Sequence, residues 1–289
     1  MINLRTVSHL EKKNKFLGAS SDWQSAKKVI LGAPMDYTVS FRPGSRFAPY
    51  RIREVSEVLE EYSIYQNSCL DDICYYDAGD IILPFGNVEK SLEIIEEVAH
   101  DILSAGKKLF TLGGDHLISL PLIKAHHFVY NDLAVVQMDA HADLRFDYMG
   151  QTMSHACVMR RVAEIIGDGS LFQLGIRSGT AEEMAYASEH GFIFLDQFLE
   201  AAEQIKKLIG RRPVYVTLDI DVVDPAFAPG TGTPEAGGAD SRQLLSMLHK
   251  LADLDVVGFD LVEICPAYDH SDITSILGAK ILREALLAY

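Results

Sequence analysis

The sequence predicts an α/β fold in which a parallel sheet is covered by helices on both faces. Three observations carry this. Short, continuously apolar runs recur along the 289 residues, as expected of strands buried on both faces. Longer stretches between them place apolar residues at helical spacing. The two patterns alternate with no linker, repeat or low-complexity tract, so residues 1–289 read as one domain. A closed eight-stranded barrel is the alternative arrangement of the same elements.

In chain order, the apolar runs at 29–31, 73–76, 108–112, 133–138, 171–174, 192–195, 214–218 and 256–261 are the expected strands. Helix-period segments at 49–62, 89–105, 154–166, 181–190, 241–252 and 272–287 are the expected covering helices. Function in such folds gathers on loops at the C-terminal strand ends. Three of these runs lead directly into acidic or imidazole groups.

Composition bounds the function. An apolar fraction of 48% with 23% charged residues suits a globular protein. No segment is long and apolar enough to span a bilayer, and residues 1–7 do not read as a signal peptide. Cys69, Cys74, Cys157 and Cys265 lack zinc-type spacing and read as reduced thiols of a cytoplasmic protein. A net charge of −15 argues against a nucleic-acid surface and is compatible with a small cationic substrate. No Walker-type or Rossmann glycine pattern points to a nucleotide.

The chemistry lies in three segments. Gly113-Gly114-Asp115-His116 follows the run at 108–112, and its glycines allow a tight turn that presents His116. Asp139-Ala140-His141-Ala142-Asp143 follows the run at 133–138. Its three ligand-type residues alternate, so an extended backbone turns them to one face. Asp219-Ile220-Asp221 follows the run at 214–218. Buried carboxylates are costly unless paired or metal-bound, and Asp139, Asp143, Asp219 and Asp221 carry enough charge to offset two divalent cations. With His116 and His141, the oxygen-rich, thiolate-free set suits Mn²⁺, with Mg²⁺, Fe²⁺ or Co²⁺ also possible. Asp115 and Asp224 read as capping or turn residues.

These motifs, in this order, resemble those of the ureohydrolases, the arginase and agmatinase family. Arg42-Pro43-Gly44-Ser45-Arg46, Gly230-Thr231-Gly232-Thr233-Pro234-Glu235 and Val262-Glu263-Ile264-Cys265-Pro266-Ala267-Tyr268-Asp269 extend the resemblance over nearly the whole chain. It implies a three-layer α/β/α fold with a mostly parallel eight-stranded sheet, two Mn²⁺ per chain, and a homotrimer or homohexamer. It also implies hydrolysis of a guanidine by a hydroxide held between the metals. By motif, His116, Asp139, Asp143 and Asp219 would hold one cation, and His141, Asp139, Asp219 and Asp221 the other. Asp139 and Asp219 would then bridge cations about 3.5–4 Å apart. Glu263 matches the position that pairs with the guanidinium, and His155 that of a proton-shuttling histidine. Two departures are Leu117 in place of a common serine and Ala156 in place of a common glycine.

The loop 144–154 lacks the early Asn/Thr/Ser pattern with which arginases grip the amino-acid end of arginine, and it carries Asp147-Tyr148. With the segment Asp224 to Glu235, it resembles the agmatinase branch, which converts agmatine to putrescine and urea in polyamine biosynthesis. Arg145 is expected at the surface; turned inward, it would favour guanidinobutyrate. Behind these two substrates stand arginine and, at a related metal centre, an amide.

Overall fold

Alternation along the strands builds two cores at once. The computed structural model describes residues 8–12, 14–20, 22–195 and 198–289, so the segment 1–7 lies outside the described residues. The first elements are β1 (Leu10–Glu11), β2 (Lys28–Ala33), α1 (Ala48–Ser56), β3 (Tyr62–Ser63), β4 (Ser68–Cys69) and β5 (Tyr75–Ile81). Then come α2 (Val88–Ser104), β6 (Lys108–Gly113), α3 (Ser119–Val129), β7 (Ala134–Met138), α4 (Val158–Ile166) and β8 (Leu171–Leu174). The chain continues through α5 (Ala181–His190), β9 (Phe192–Phe194), α6 (Ala201–Ile209), β10 (Pro213–Asp219), α7 (Ser241–Leu251), β11 (Asp255–Val262) and α8 (Ile273–Ala288).

The main sheet runs β1-β5-β2-β6-β11-β10-β7-β8-β9. Eight of its strands are parallel, as expected, and the two-residue β1 adds an antiparallel edge against β5. The sheet is open, with β1 and β9 at its edges, so the closed barrel does not hold. Successive residues of β7 serve opposite faces. Val135 joins a core with side chains of α2 to α5, while Ala134, Val136 and Met138 join one with α1 and α6 to α8. The result is a three-layer α/β/α sandwich. Among the described residues, no helix is long and apolar enough to cross a membrane.

Several boundaries differ from those the apolar pattern predicts. The strand expected at 73–76 runs from Tyr75 to Ile81, because Arg53, itself fully buried, pairs with Asp77 and Asp80. These charges break the apolar pattern that otherwise marks a buried strand. The helix expected at 49–62 ends at Ser56, and the segment 154–166 divides into a 3₁₀ turn, His155–Cys157, followed by α4. The α6 helix is an addition.

Strand order matters most for the site. β6, β11, β10 and β7 lie side by side at the centre of the sheet. Their parallel C-terminal ends therefore converge in one region, supplied by four separate parts of the chain.

Candidate metal centre

Each of the four central strands delivers its residues by a short, well-defined turn. After β6, Gly114 packs so closely on the Met35 backbone that a Cβ would lie 1.7 Å from its carbonyl oxygen. Asp115 then accepts from Leu117 N at 3.2 Å and from Thr38 N at 3.1 Å, which fixes the 3₁₀ turn that begins at His116. Asp115 is thus a capping residue, as its sequence context predicts. Burial pushes its carboxyl up to about 7. Asp224 accepts from Ala226 N, Gly237 N and Gly238 N, shaping the loop beyond β10.

The six predicted metal-type residues come together. His116 Nδ1 lies 3.0 Å from Asp139 Oδ2, 3.1 Å from Asp143 Oδ2 and 3.6 Å from Asp219 Oδ2. His141 Nδ1 lies 2.9 Å from Asp221 Oδ2 and 3.7 Å from Asp139 Oδ1. The donor atoms of His116, Asp139 and Asp219 all lie within 4.8 Å of one another, as do those of Asp139, His141 and Asp221. Asp139 belongs to both groups.

Several hydrogen bonds hold these side chains in place. Gln137 Nε2 donates to Asp139 Oδ2 at 2.7 Å, and Gln173 Nε2 donates to Gln137 Oε1 at 2.6 Å. The backbone N–H groups of His141, Ala140 and Asp221 donate to Asp139, Asp221 and Asp219 respectively. Asp143, by contrast, is aimed by its backbone, which adopts a φ of 54°.

The donor set fits divalent cations. His116 Nδ1 and Asp221 Oδ2 are buried with no well-directed hydrogen bond, although each has a charged neighbour about 3 Å away. Protons otherwise have to offset the crowding. Burial and the nearby Asp221 push the Asp139 and Asp219 carboxyls above their ordinary range. Burial disfavours charge on His116 and His141 too, but the adjacent carboxylates outweigh it and hold both imidazoles well above their ordinary value. Cations would take over this neutralising role, with hard oxygen and imidazole ligands.

Beside this cluster lies a cavity of about 280 Å³, lined by His116, His141, Asp143, Asp219, His155 and Glu263 among others. Glu263 is buried at the end of β11 with a φ of 61°, and its Oε1 accepts from His116 N at 2.8 Å. Burial, with Asp115 nearby, raises its carboxyl well above the ordinary range. His155 Nε2 lies 3.3 Å from Ser40 Oγ, while its buried Nδ1 has no hydrogen bond. Burial lowers the His155 imidazole below its ordinary value.

The outer wall departs from expectation. Arg145, expected at the surface, lines the cavity with its side chain 39% exposed. It lies 3.8 Å from Glu183 and over the Tyr148 ring at 5.1 Å. Asp147 is exposed, accepts from Gly150 N and is not among the residues lining the cavity. Glu183 is the carboxylate found there instead. Its signal in the sequence is the Thr180-x-x-Glu183 capping box at the start of α5. Ser40, Ser178 and Thr233 also line the cavity without a distinguishing pattern.

A three-layer α/β/α sheet with such a donor set beside an open cavity defines a class: hydrolases that work through divalent cations. Comparison with known proteins narrows this. Residues 26–288 match the model of the arginase family. The agmatinase of Bacillus subtilis (strain 168) is 50% identical over 277 residues, covering 95% of this chain and 96% of that protein. The structure of the agmatine ureohydrolase of Thermoplasma volcanium superposes with a TM-score of 0.88 at 33% identity, covering 96% of this chain and 94% of that one. Proclavaminate amidino hydrolase from Streptomyces clavuligerus also gives 0.88, at 35% identity, covering 97% and 98%. The chain belongs to the arginase family and is a guanidine-hydrolysing enzyme.

Proposed function

We propose that this enzyme is a manganese-dependent agmatinase, converting agmatine and water to putrescine and urea. The 50% identity to the Bacillus subtilis agmatinase over nearly the full length of both chains is the observation that carries the substrate. Residues 1–289 act as one catalytic domain, in a homotrimer or homohexamer. The four free cysteines suit a cytoplasmic setting.

His116, Asp139, Asp143 and Asp219 would hold one cation; His141, Asp139, Asp219 and Asp221 would hold the other. The membership of Asp139 in both donor groups supports its bridging role. Two bound cations would supply an acidified water as nucleophile and would offset the carboxylate charge. Glu263 accepts N–H groups of the guanidinium and orients its carbon. As an ionised partner it needs the nearby cationic charge, since burial alone favours its protonated form. His155 remains neutral at neutral pH, so it can accept a proton and pass it to the departing amine.

Urea release by the manganese-loaded enzyme, measured across agmatine, arginine, 4-guanidinobutyrate and 3-guanidinopropionate, tests the substrate. Agmatine is expected to give the highest kcat/KM; faster turnover of arginine would overturn the assignment. A second reading, 4-guanidinobutyrate, is favoured by Arg145 on the cavity wall, where a guanidinium can pair with the substrate carboxylate. The same comparison separates the two.

A further inference from the structure

The two ring nitrogens of His116 face different surroundings. Nδ1 meets the carboxylate cluster, while Nε2 lies 2.9 Å from Thr217 Oγ1. What lies behind Thr217 fixes the direction of that second contact. Thr217 Oγ1 donates to Asp260 Oδ1 at 2.7 Å, and Tyr215 OH donates to Asp260 Oδ2 at 2.7 Å. A hydroxyl has one proton. Thr217 has given its proton to Asp260, so toward His116 it can only accept. A neutral His116 must therefore carry its hydrogen on Nε2 and leave the Nδ1 lone pair facing the cluster.

The arrangement is saturated. Ser119 Oγ lies 3.2 Å from Thr217 Oγ1 and also hydrogen-bonds Asp260. Asp260 is fully buried and both its oxygens accept from hydroxyls. Thr217 and Asp260 are direct partners in the β10–β11 ladder. Thr217 also stands two residues before Asp219, hence on the same face of its strand. The strand register itself aligns carboxylate and hydroxyl.

We propose that Thr217 and Asp260 are positioning residues for metal binding, holding His116 as the Nε2–H tautomer with Nδ1 directed at the cation. This rests on the assignment of His116 as a ligand. A partner on the far nitrogen fixes the ring orientation and raises the basicity of the ligating atom.

Titration of the full-length, metal-free enzyme with Mn²⁺ tests the proposal, with His116→Ala as the reference. His116→Ala is expected to lose one of two sites. Thr217→Val, nearly isosteric but without the hydroxyl, is expected to weaken that same site about 10–100-fold and spare the other. Thr217→Ser keeps the hydroxyl and is expected to restore binding. In ¹⁵N-histidine spectra of the zinc-loaded enzyme, His116 should carry its proton on Nε2. Two sites of unaltered affinity in Thr217→Val, with one lost in His116→Ala, overturn the proposal and leave the ligand assignment standing. Two unaltered sites in His116→Ala overturn both. If Thr217→Val does not fold, Thr217→Ser decides: a folded serine variant with the site weakened overturns the positioning role.

Discussion

Asp143 and Glu263 both occupy left-handed backbone conformations, which cost non-glycine residues about 1–3 kcal/mol each. The surroundings hold them there. Asp143 O accepts from the first turn of α4, through Met159 N and Arg160 N, and the next residue, Leu144, donates to Glu183. Glu263 N donates to Gly114 O. The strain is thus met by contacts from neighbouring elements, and it aims both carboxylates into the cavity. Glu263→Gln is expected to lower kcat/KM for agmatine about 10²–10³-fold by removing a charged partner of the guanidinium. Manganese content, measured in parallel, should not change. His155→Ala is expected to lower kcat about 10²–10⁴-fold. Because burial depresses the His155 pKa, the imidazole is neutral at pH 7 and gains its proton only as pH falls below the ordinary histidine value of about 6.5. Bound cations would push the same way. The acid limb of the pH–rate profile should accordingly disappear in His155→Ala.

At the scale of elements, apolar strands are legible in the sequence and charged ones are not. Leu171–Leu174 matches its expected run residue for residue, as does the helix Ala181–His190. β5 departs from its expected run because Asp77 and Asp80 look like loop residues until Arg53, on a different element, is seen to pair with them. β1 and the β3–β4 hairpin have two residues per strand, too few to show a period. Glu284 on α8 shows how such unseen polar ties matter. Ser63 Oγ donates to it at 2.8 Å, Gln66 Nε2 at 2.7 Å, and His249 Nε2 lies at 2.8 Å. Burial opposes its ionisation, but these groups and Arg283 outweigh burial and hold the carboxyl well below the ordinary range. Its stabilising effect is therefore present above the unfolded glutamate value of about 4.3 and lost as pH falls toward the lower folded one. Glu284→Gln should lower unfolding free energy at pH 7 by about 3–5 kcal/mol, as read from urea melts. The difference from the unmodified enzyme should shrink in acid.

For the molecule as a whole, the metal-type residues are legible because each cluster follows an apolar run directly. Their grouping in space is not, since nothing local in Asp139 or His116 states that β11 and β10 lie between their strands. Family resemblance supplies that link. The polar supports, Gln137, Gln173, Thr217 and Asp260, carry no such signal because each is a polar residue flanked on both sides by apolar ones. The crowded carboxylates would make bound metal a global stabiliser as well as a cofactor. Removing it with a chelator should lower Tm. Returning Mn²⁺ should raise stability with concentration, by about 2.7 kcal/mol at one hundred times Kd.

The order of the central strands also dictates when the site can come into being. β6 and β7 are close in the chain, yet both must wait for β10 and β11, which are the last strands in sequence. A growing chain therefore cannot assemble its four central strands until the strand ending at Val262 has been made. Pairings of such long separation are slow to form. Manganese should then act after the folding barrier: it should leave the refolding rate nearly unchanged and slow unfolding. Stopped-flow refolding and unfolding with and without the ion would reveal the asymmetry. On that outcome the cation would act as a latch closed at the end of folding, not as a template around which the chain begins.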